Sequence, residues 1–531
     1  MAKAQCWLQS SLERVFPGSP AREASPFEVI AARNGRVSFQ ACIRHTSGSP
    51  LAASLSVDGP DDIDVRIRRV GYVPVAHFNT DTPESDLDGI GHLPGLAPDP
   101  LFPESSVFMG PFEAHSFWVS VSVPADIEPG VREINLQFEI GKERVGELSA
   151  KIDVRPFTIQ LRHDFPVTHW FYADALCDWY KVEPFEEEFW EIVRLYMEDL
   201  VSHGNNCLYV PIFTPPTDGV KRPTQLLKVT TPDAGKYSFD FSDVLRWTRL
   251  ARSAGAESFE WTHFFWQWGV KYALRIYRNN QDRDSLLWPP ETGATSGIYK
   301  NFLVQFLPEF HRFLISEDLL ECSYFHVSDE PHGDHIINYR AAREMLRELA
   351  PWMKVMDALS DVSYGKEGLT DMPIPVISTA PQYAEAGIPA WTYFCCGPRG
   401  EYLNRLIDTP LTKIRMSGWL FYRLKALGFL HWGYNYWYKS QTQQMIDPYT
   451  EQSGAAWPGW AYGDTFVVYP GADGPVDSIR WEIFAESLQD FAILQTADID
   501  HDSDMLSEIK SYCDFPKSED WIISAMKKLL G

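Results

Sequence analysis

From about residue 160 onward, short apolar runs alternate with longer amphipathic ones, and this alternation limits the possible folds more than any single motif does. Apolar runs at 167–172, 207–213, 259–264, 322–327, 354–359, 376–379, 390–395 and 429–435 read as buried strands, because strands covered on both faces show continuous rather than alternating hydrophobicity. Between them lie helical stretches at 185–203, 241–254, 299–317, 336–349 and 414–427. The first carries apolar side chains at 189, 192, 193, 196, 197 and 200, one face of a 3.6-residue period. Gly204 and Gly255 follow the first two helices, where a left-handed residue closes a helix. Eight strands alternating with helices predict an α/β chain with a (β/α)8 TIM barrel over 159–498.

Residues 1–158 have a different rhythm. Alternating segments at 35–44, 52–57, 65–70, 116–123, 132–139 and 147–154 are punctuated by turn signals such as Asp58-Gly59-Pro60 and Glu128-Pro129-Gly130. They predict an N-terminal β-sandwich. The Pro-, Gly- and Asp-rich stretch 81–104 reads as a long loop directed at the barrel, and 436–474 as an insert over the barrel mouth. A helix at 476–496 ends the barrel, and 499–531 reads as a helical tail packed on it, with its helix at 518–530.

Composition narrows the function. A formal net charge of −25 disfavours a nucleic-acid partner, which needs a basic surface, and an anionic membrane surface. No run of 18 apolar residues predicts a membrane span. The N-terminal sixteen residues show no signal-peptide pattern, so a cytoplasmic location is the expectation. The 8 Cys are scattered without metal-type spacing, and His332 and His335 follow a proline turn, a poor frame for a metal. Neither metal nor cofactor is expected. The 19 Trp suit either a large core or the apolar faces of sugar rings.

The predicted strand ends carry the chemistry. The fourth runs Tyr324-Phe325-His326-Val327-Ser328 directly into Asp329-Glu330-Pro331. Acids there either cap the helix that follows or sit where barrel enzymes keep catalytic groups. The neighbouring ends decide for catalysis: Trp170, His263, Trp268, Tyr393, Trp432, Asn435 and Trp437 gather aromatic and hydrogen-bonding groups on the same face. All seven are candidate sugar-binding residues. His326 joins them, on the same strand face as Ser328. Adjacency of the acids constrains mechanism. A conventional retaining glycosidase places two carboxylates about 5–5.5 Å apart on opposite sides of the bond, which sequence neighbours do not do. They suit a substrate that brings its own nucleophile, the acetamido oxygen of a 2-acetamido sugar. Glu330 is then the general acid/base and Asp329 the acetamido stabiliser. A conventional glycosidase with its nucleophile elsewhere (Asp174 or Glu486) and a non-catalytic carbohydrate-binding barrel are the competing readings.

The segments Trp170-Phe171-Tyr172-Ala173-Asp174, His203-Gly204-Asn205, Phe213-Thr214-Pro215-Pro216, Ser328-Asp329-Glu330-Pro331, Trp432-Gly433-Tyr434-Asn435 and Tyr469-Pro470-Gly471 together resemble glycoside hydrolase family 123 and the wider group sharing the domain of unknown function 4091. The resemblance spans roughly 160–495. It implies a sandwich followed by a (β/α)8 domain, β-N-acetylgalactosaminidase activity on an oligosaccharide or glycoconjugate containing N-acetylgalactosamine, and an Asp-Glu pair, here Asp329 and Glu330, in substrate-assisted retaining catalysis.

Overall fold

The computed structural model describes the chain except residues 1–3, 216–223, 279–283, 440–441 and 453–458. Pro216 of the sequence motif therefore lies outside the described residues. The protein is mixed α/β with a β-rich N-terminal region. That region builds two five-stranded sheets. The first runs in the order Ala4–Ser10, Gly35–His45, Ala114–Val123, Asp64–Val75, Gly95–Phe102, with every neighbour antiparallel. The second runs Phe27–Arg33, Glu143–Thr158, Gly130–Ile140, Leu51–Asp58, Ser106–Met109, and only its first pair is parallel. Phe39, Ile43, Phe117 and Val119 of the first sheet and Leu55, Ile134, Leu136 and Ile152 of the second share one apolar core, as period-two alternation requires.

The stretch 81–104 is not wholly a loop. Its last third is the edge strand Gly95–Phe102, in a segment whose Pro98 and Pro100 argue against a strand. An edge position tolerates them, since a proline there forfeits no ladder bond on its outer side. The expected reach towards the rest of the chain is real: Asp99 accepts from Arg480 Nε and Nη2, both at 2.9 Å, and from the Tyr469 hydroxyl at 2.6 Å.

Twelve short strands follow among the described residues. Four make two antiparallel pairs, Lys228–Thr230 with Ser238–Asp240 and Val468–Pro470 with Pro475–Asp477. The other eight are Val167–His169, Cys207–Val210, Ser258–Trp261, Ser323–Tyr324, Met356–Ala358, Met372–Ile374, Thr392–Tyr393 and Phe429–His431. Every pairing among these eight is parallel. The second, third and fourth form one ladder, the fifth and sixth another, and the seventh, eighth and first a third. Single parallel bridges, Phe325 with Val355 and Val376 with Tyr393, join the three ladders. The Asn206 side-chain oxygen accepts from Val167 N at 2.9 Å, linking the first strand to the approach of the second. The sixth strand lies a few residues before its expected place. Residues 376–379 instead lead into the helix Ala380–Glu385, because Pro373 and Pro375 left the strand without an unbroken apolar signature. The helix expected at 414–427 is two short ones, Leu411–Arg415 and Ser417–Arg423.

Helix Ile479–Thr496 is buried almost all round, lying between the N-terminal sheets and the parallel strands. Gly418 lets a second helix press against it: a Cβ there would sit 1.8 Å from the Ser487 carbonyl oxygen. The terminal helix Glu519–Leu530 touches strands Phe27–Arg33 and Glu143–Thr158 as well as Trp419. Among the described residues no helix is long and apolar enough to cross a membrane.

Candidate active site

The site grows outward from a carboxylate that the sequence did not single out. Glu260 lies within Ser258–Trp261 and is fully buried. A buried carboxylate must find donors or lose its charge, and Glu260 finds three. Thr168 Oγ1 donates at 2.6 Å, Trp170 Nε1 at 2.7 Å and His326 Nε2 at 2.7 Å. The opposite face of His326 meets a second buried carboxylate, with Nδ1 3.2 Å from Asp357 Oδ1. Burial alone would strip the proton from His326, but Asp357 and Glu260 outweigh it and push its pKa up to about 9. The ring is therefore an imidazolium at neutral pH, donating at both nitrogens.

Asp357 also fixes the backbone that leads to the acid pair. It accepts from Val327 N at 3.0 Å, Ser328 N at 3.3 Å and the Tyr339 hydroxyl. From the other side, Phe264 N and Phe265 N donate to the carbonyls of His326 and Val327, and Trp268 N to that of Asp329 at 3.1 Å. Ser328 Oγ completes the clamp on the Trp266 carbonyl at 2.9 Å. Held this way, Asp329 is 8% exposed. Burial first, then the neighbouring Glu330, holds its carboxyl well above the usual range, against the opposing pull of His326.

Glu330 adopts φ +43°, a left-handed conformation that costs a non-glycine residue roughly 1–3 kcal/mol and persists only where the surroundings impose it. The consequence is a half-buried carboxylate with Oε1 2.5 Å from the Tyr393 hydroxyl. Neither acid caps the following helix. The cap position of His335–Leu349 is Asp334.

His263 stacks on His326 at 4.3 Å and meets Trp170 edge-on at 5.2 Å. Burial, reinforced by the His326 charge, keeps its pKa well below the ordinary histidine value, so a neutral imidazole lies on a charged one. His263, His326 and Asp357 bring possible ligand atoms within 4.8 Å of one another. His326 and Asp357 are already spent on each other and on Glu260, Tyr339 and the backbone, so the set is a charge-balanced support rather than an open metal cradle.

Just beyond the eighth strand, Trp432 Nε1 and Trp460 Nε1 both donate to Asp464 Oδ2 at 3.1 Å, holding two half-buried indoles at right angles. Burial raises the Asp464 pKa to about 7. Trp432 continues through Tyr436 to Tyr172 as a run of ring contacts at 5.2 and 5.0 Å.

The structure thus brings Asp329, Glu330, Trp170, His263, His326 and Tyr393 together. Trp268 stands beside Asp329 through its backbone and is 47% exposed, and Trp432 belongs to the separate cluster around Asp464. Asn435 is fully buried, its amide bonded both ways to the backbone of Tyr172 at 2.9 and 3.1 Å. Trp437 is also fully buried and donates to the Val468 carbonyl, so neither is brought to the acid pair. Glu260, Asp357, Asp464 and Trp460 were missed. The first two carried a readable signal: each is a carboxylate inside an otherwise apolar strand run, Phe259-Glu260-Trp261 and Met356-Asp357-Ala358.

Two carboxyls at a strand end, one of them buried and held well above its usual range, are the equipment of acid–base hydrolysis. The family model described as glycoside hydrolase 123, catalytic domain, matches residues 170–497, more than half of the chain. The chain belongs to glycoside hydrolase family 123. A family 123 glycoside hydrolase from Clostridium perfringens, solved in a study of glycolipid glycan hydrolysis, superposes with TM-score 0.76 at 15% identity, covering 99% of this chain and 97% of that one. A Bacteroides ovatus GH5 xyloglucanase reaches 0.34 at 9% identity, over 88% and 98% of the two chains. No curated protein matches the sequence.

Proposed function

We propose that this family 123 hydrolase is a retaining, exo-acting β-N-acetylgalactosaminidase. In this reading residues 1–158 are a β-sandwich, 159–498 a (β/α)8 barrel with the acid pair at its mouth, and 499–531 a helical tail. The parallel pairing of all eight strands, in chain order around the ladders and bridges, supports the barrel.

The observation that carries the chemistry is the unequal environment of two adjacent carboxyls. Such a pair holds one proton in common. In the free site burial favours the protonated form of Asp329. A 2-acetamido sugar would donate its amide N–H to Asp329, which favours the Asp329 carboxylate and leaves the proton to Glu330. The acetamido oxygen then attacks the anomeric carbon, the glycosidic bond breaks, and Glu330 protonates the departing oxygen. Asp329 stabilises the resulting oxazolinium ring. Water adds at the anomeric carbon, giving its proton to Glu330, and the ring reopens with net retention. The charged His326 below the pair stabilises negative charge on Asp329 when it forms. Trp170, His263, Trp268, Tyr393 and Trp432 are the sugar-facing candidates, and the glycan of a glycolipid or another glycoconjugate is the substrate class. Glu486 is a poor conventional nucleophile, because it pairs with Arg415 beside the N-terminal sheets.

The test is hydrolysis of aryl β-N-acetylgalactosaminide against the glucosaminide, galactoside and glucoside, by wild type, Asp329→Asn and Glu330→Gln. Turnover confined to acetamido sugars, inhibition by a thiazoline analogue of the cyclised intermediate, and loss of at least 100-fold in both variants are expected. Cleavage of only the sugars without an acetamido group would sink the mechanism.

A further inference from the structure

Two residues beyond Tyr393, the residue that holds Glu330, the chain presents two consecutive cysteines. Cys395 and Cys396 are half-buried and their sulfurs lie 3.9 Å apart. Their backbone is tied down on every side. Cys395 N donates to the Gly397 carbonyl at 2.9 Å, Asn404 Nδ2 to the carbonyls of Cys395 and Pro398 at 2.9 Å each, and Arg399 Nε to the Cys396 carbonyl at 2.6 Å. The same arginine holds the Gly459 carbonyl at 2.7 Å, next to Trp460 and hence the Asp464 clamp.

Two thiols so placed suit a bridging atom better than a direct bond. A disulfide needs sulfurs about 2.05 Å apart and usually Cα atoms about 4.4–6.8 Å apart, whereas neighbours across a trans peptide are held at about 3.8 Å. The loop's hydrogen bonds resist the distortion that closure would require. An acceptor bonded to both sulfurs needs no such closure, and paired sulfur ligands select soft centres.

We propose that Cys395 and Cys396 form a dithiol site for a soft, thiophilic ligand, a trivalent arsenical or a soft metal ion, and that filling it disables the adjacent hydrolase site. With phenylarsine oxide the two S–H bonds break, two As–S bonds form, and the oxide oxygen leaves as water with both protons; nothing is oxidised or reduced. Hydrogen bonding to Cys396, then burial, holds the Cys395 thiol well above its ordinary pKa. Simple alkylating agents, which need a thiolate, should therefore react slowly at Cys395. Occupancy would set a bulky ligand next to Tyr393 and Glu330, both of which lie within electrostatic reach of Cys395, and this crowding is the link to activity; that second half rests on the hydrolase reading above.

The experiment treats the full-length protein with phenylarsine oxide and reads intact mass, free thiols and glycosidase turnover. One phenylarsenic adduct, loss of two titratable thiols, release by 2,3-dimercaptopropanol but not by a monothiol, and no adduct in Cys395→Ser or Cys396→Ser are expected. An adduct that persists in either serine variant, or none in wild type, overturns the site. An adduct at this pair with turnover unchanged overturns its control of activity. If wild type cleaves no acetamido sugar, the hydrolase reading fails, while the mass and thiol readouts still decide the site.

Discussion

The Tyr393 hydroxyl donates to Glu330 Oε1 at 2.5 Å, across the gap between the seventh and fourth strands. This bond fixes the carboxylate of a residue whose backbone is itself left-handed, at φ +43°. A hydrogen bond to a charged group contributes about 1.5–3 kcal/mol. Tyr393→Phe should lower kcat/KM by about 10–100-fold, with a loss of stability no larger than that one bond. Steady-state kinetics with an aryl β-N-acetylgalactosaminide check this; equal rates for the two proteins would remove Tyr393 from the machinery.

Asp464 holds Trp432 and Trp460 through a single oxygen. Its folded pKa, about 7, exceeds the unfolded value of about 3.9. The raised value means the ionised form costs stability, a penalty that grows as pH rises from about 4 to 7 and is constant above. Asp464→Asn keeps an acceptor for both indoles and removes that penalty, so at pH 8 it should melt at or above wild type with KM little changed. Asp464→Ala frees both indoles and should raise KM by about 10-fold, on the order of 1.4 kcal/mol. Melting curves and KM for the two variants separate these outcomes.

The strand–helix rhythm was legible because buried strands and amphipathic helices leave different periods in the chain, and the strand positions followed within a few residues. What escaped were prolines in strands. Pro98 and Pro100 hid an edge strand, and Pro373 and Pro375 displaced the sixth parallel strand. The acid pair was visible because two charges ended an apolar run. Its support was not, since Glu260 and Asp357 are 66 and 31 residues from the His326 they hold, and no local pattern encodes that meeting. Asn435 and Trp437 are the opposite case. They stand at a strand end, but their polar atoms meet backbone groups within the core.

His326 supplies a pH signature. Its folded pKa of about 9 lies above the ordinary value of 6.5, so its stabilising contribution is complete below pH 6.5 and is lost as pH rises through 9. The size is on the order of 3 kcal/mol. His203, raised to about 10 between Asp199, Asp477 and Glu482, adds a second loss that begins at the same pH and extends to about 10. The urea midpoint of wild type should fall progressively between about pH 6.5 and 10, and His326→Gln should be less stable at pH 7 with a flatter profile. Parallel profiles would mean that His326 is not an imidazolium in the folded protein.

Arg480 joins the N-terminal sheets to the catalytic region. Fully buried, it meets Asp99 through Nε and Nη2 and donates to the carbonyls of Arg405, Gly463 and Phe466. Removing one partner of a buried ion pair strands the other charge, at about 3–5 kcal/mol. Arg480→Ala should lose that much, and the edge strand Gly95–Phe102 should exchange its amide hydrogens faster. Combining Arg480→Met with Asp99→Asn removes both charges and fills the space, so it should recover part of the loss. Recovery stays partial because three carbonyls still lack their donor. If the double variant is no more stable than Arg480→Ala, the cost lies in those carbonyls rather than in the stranded carboxylate.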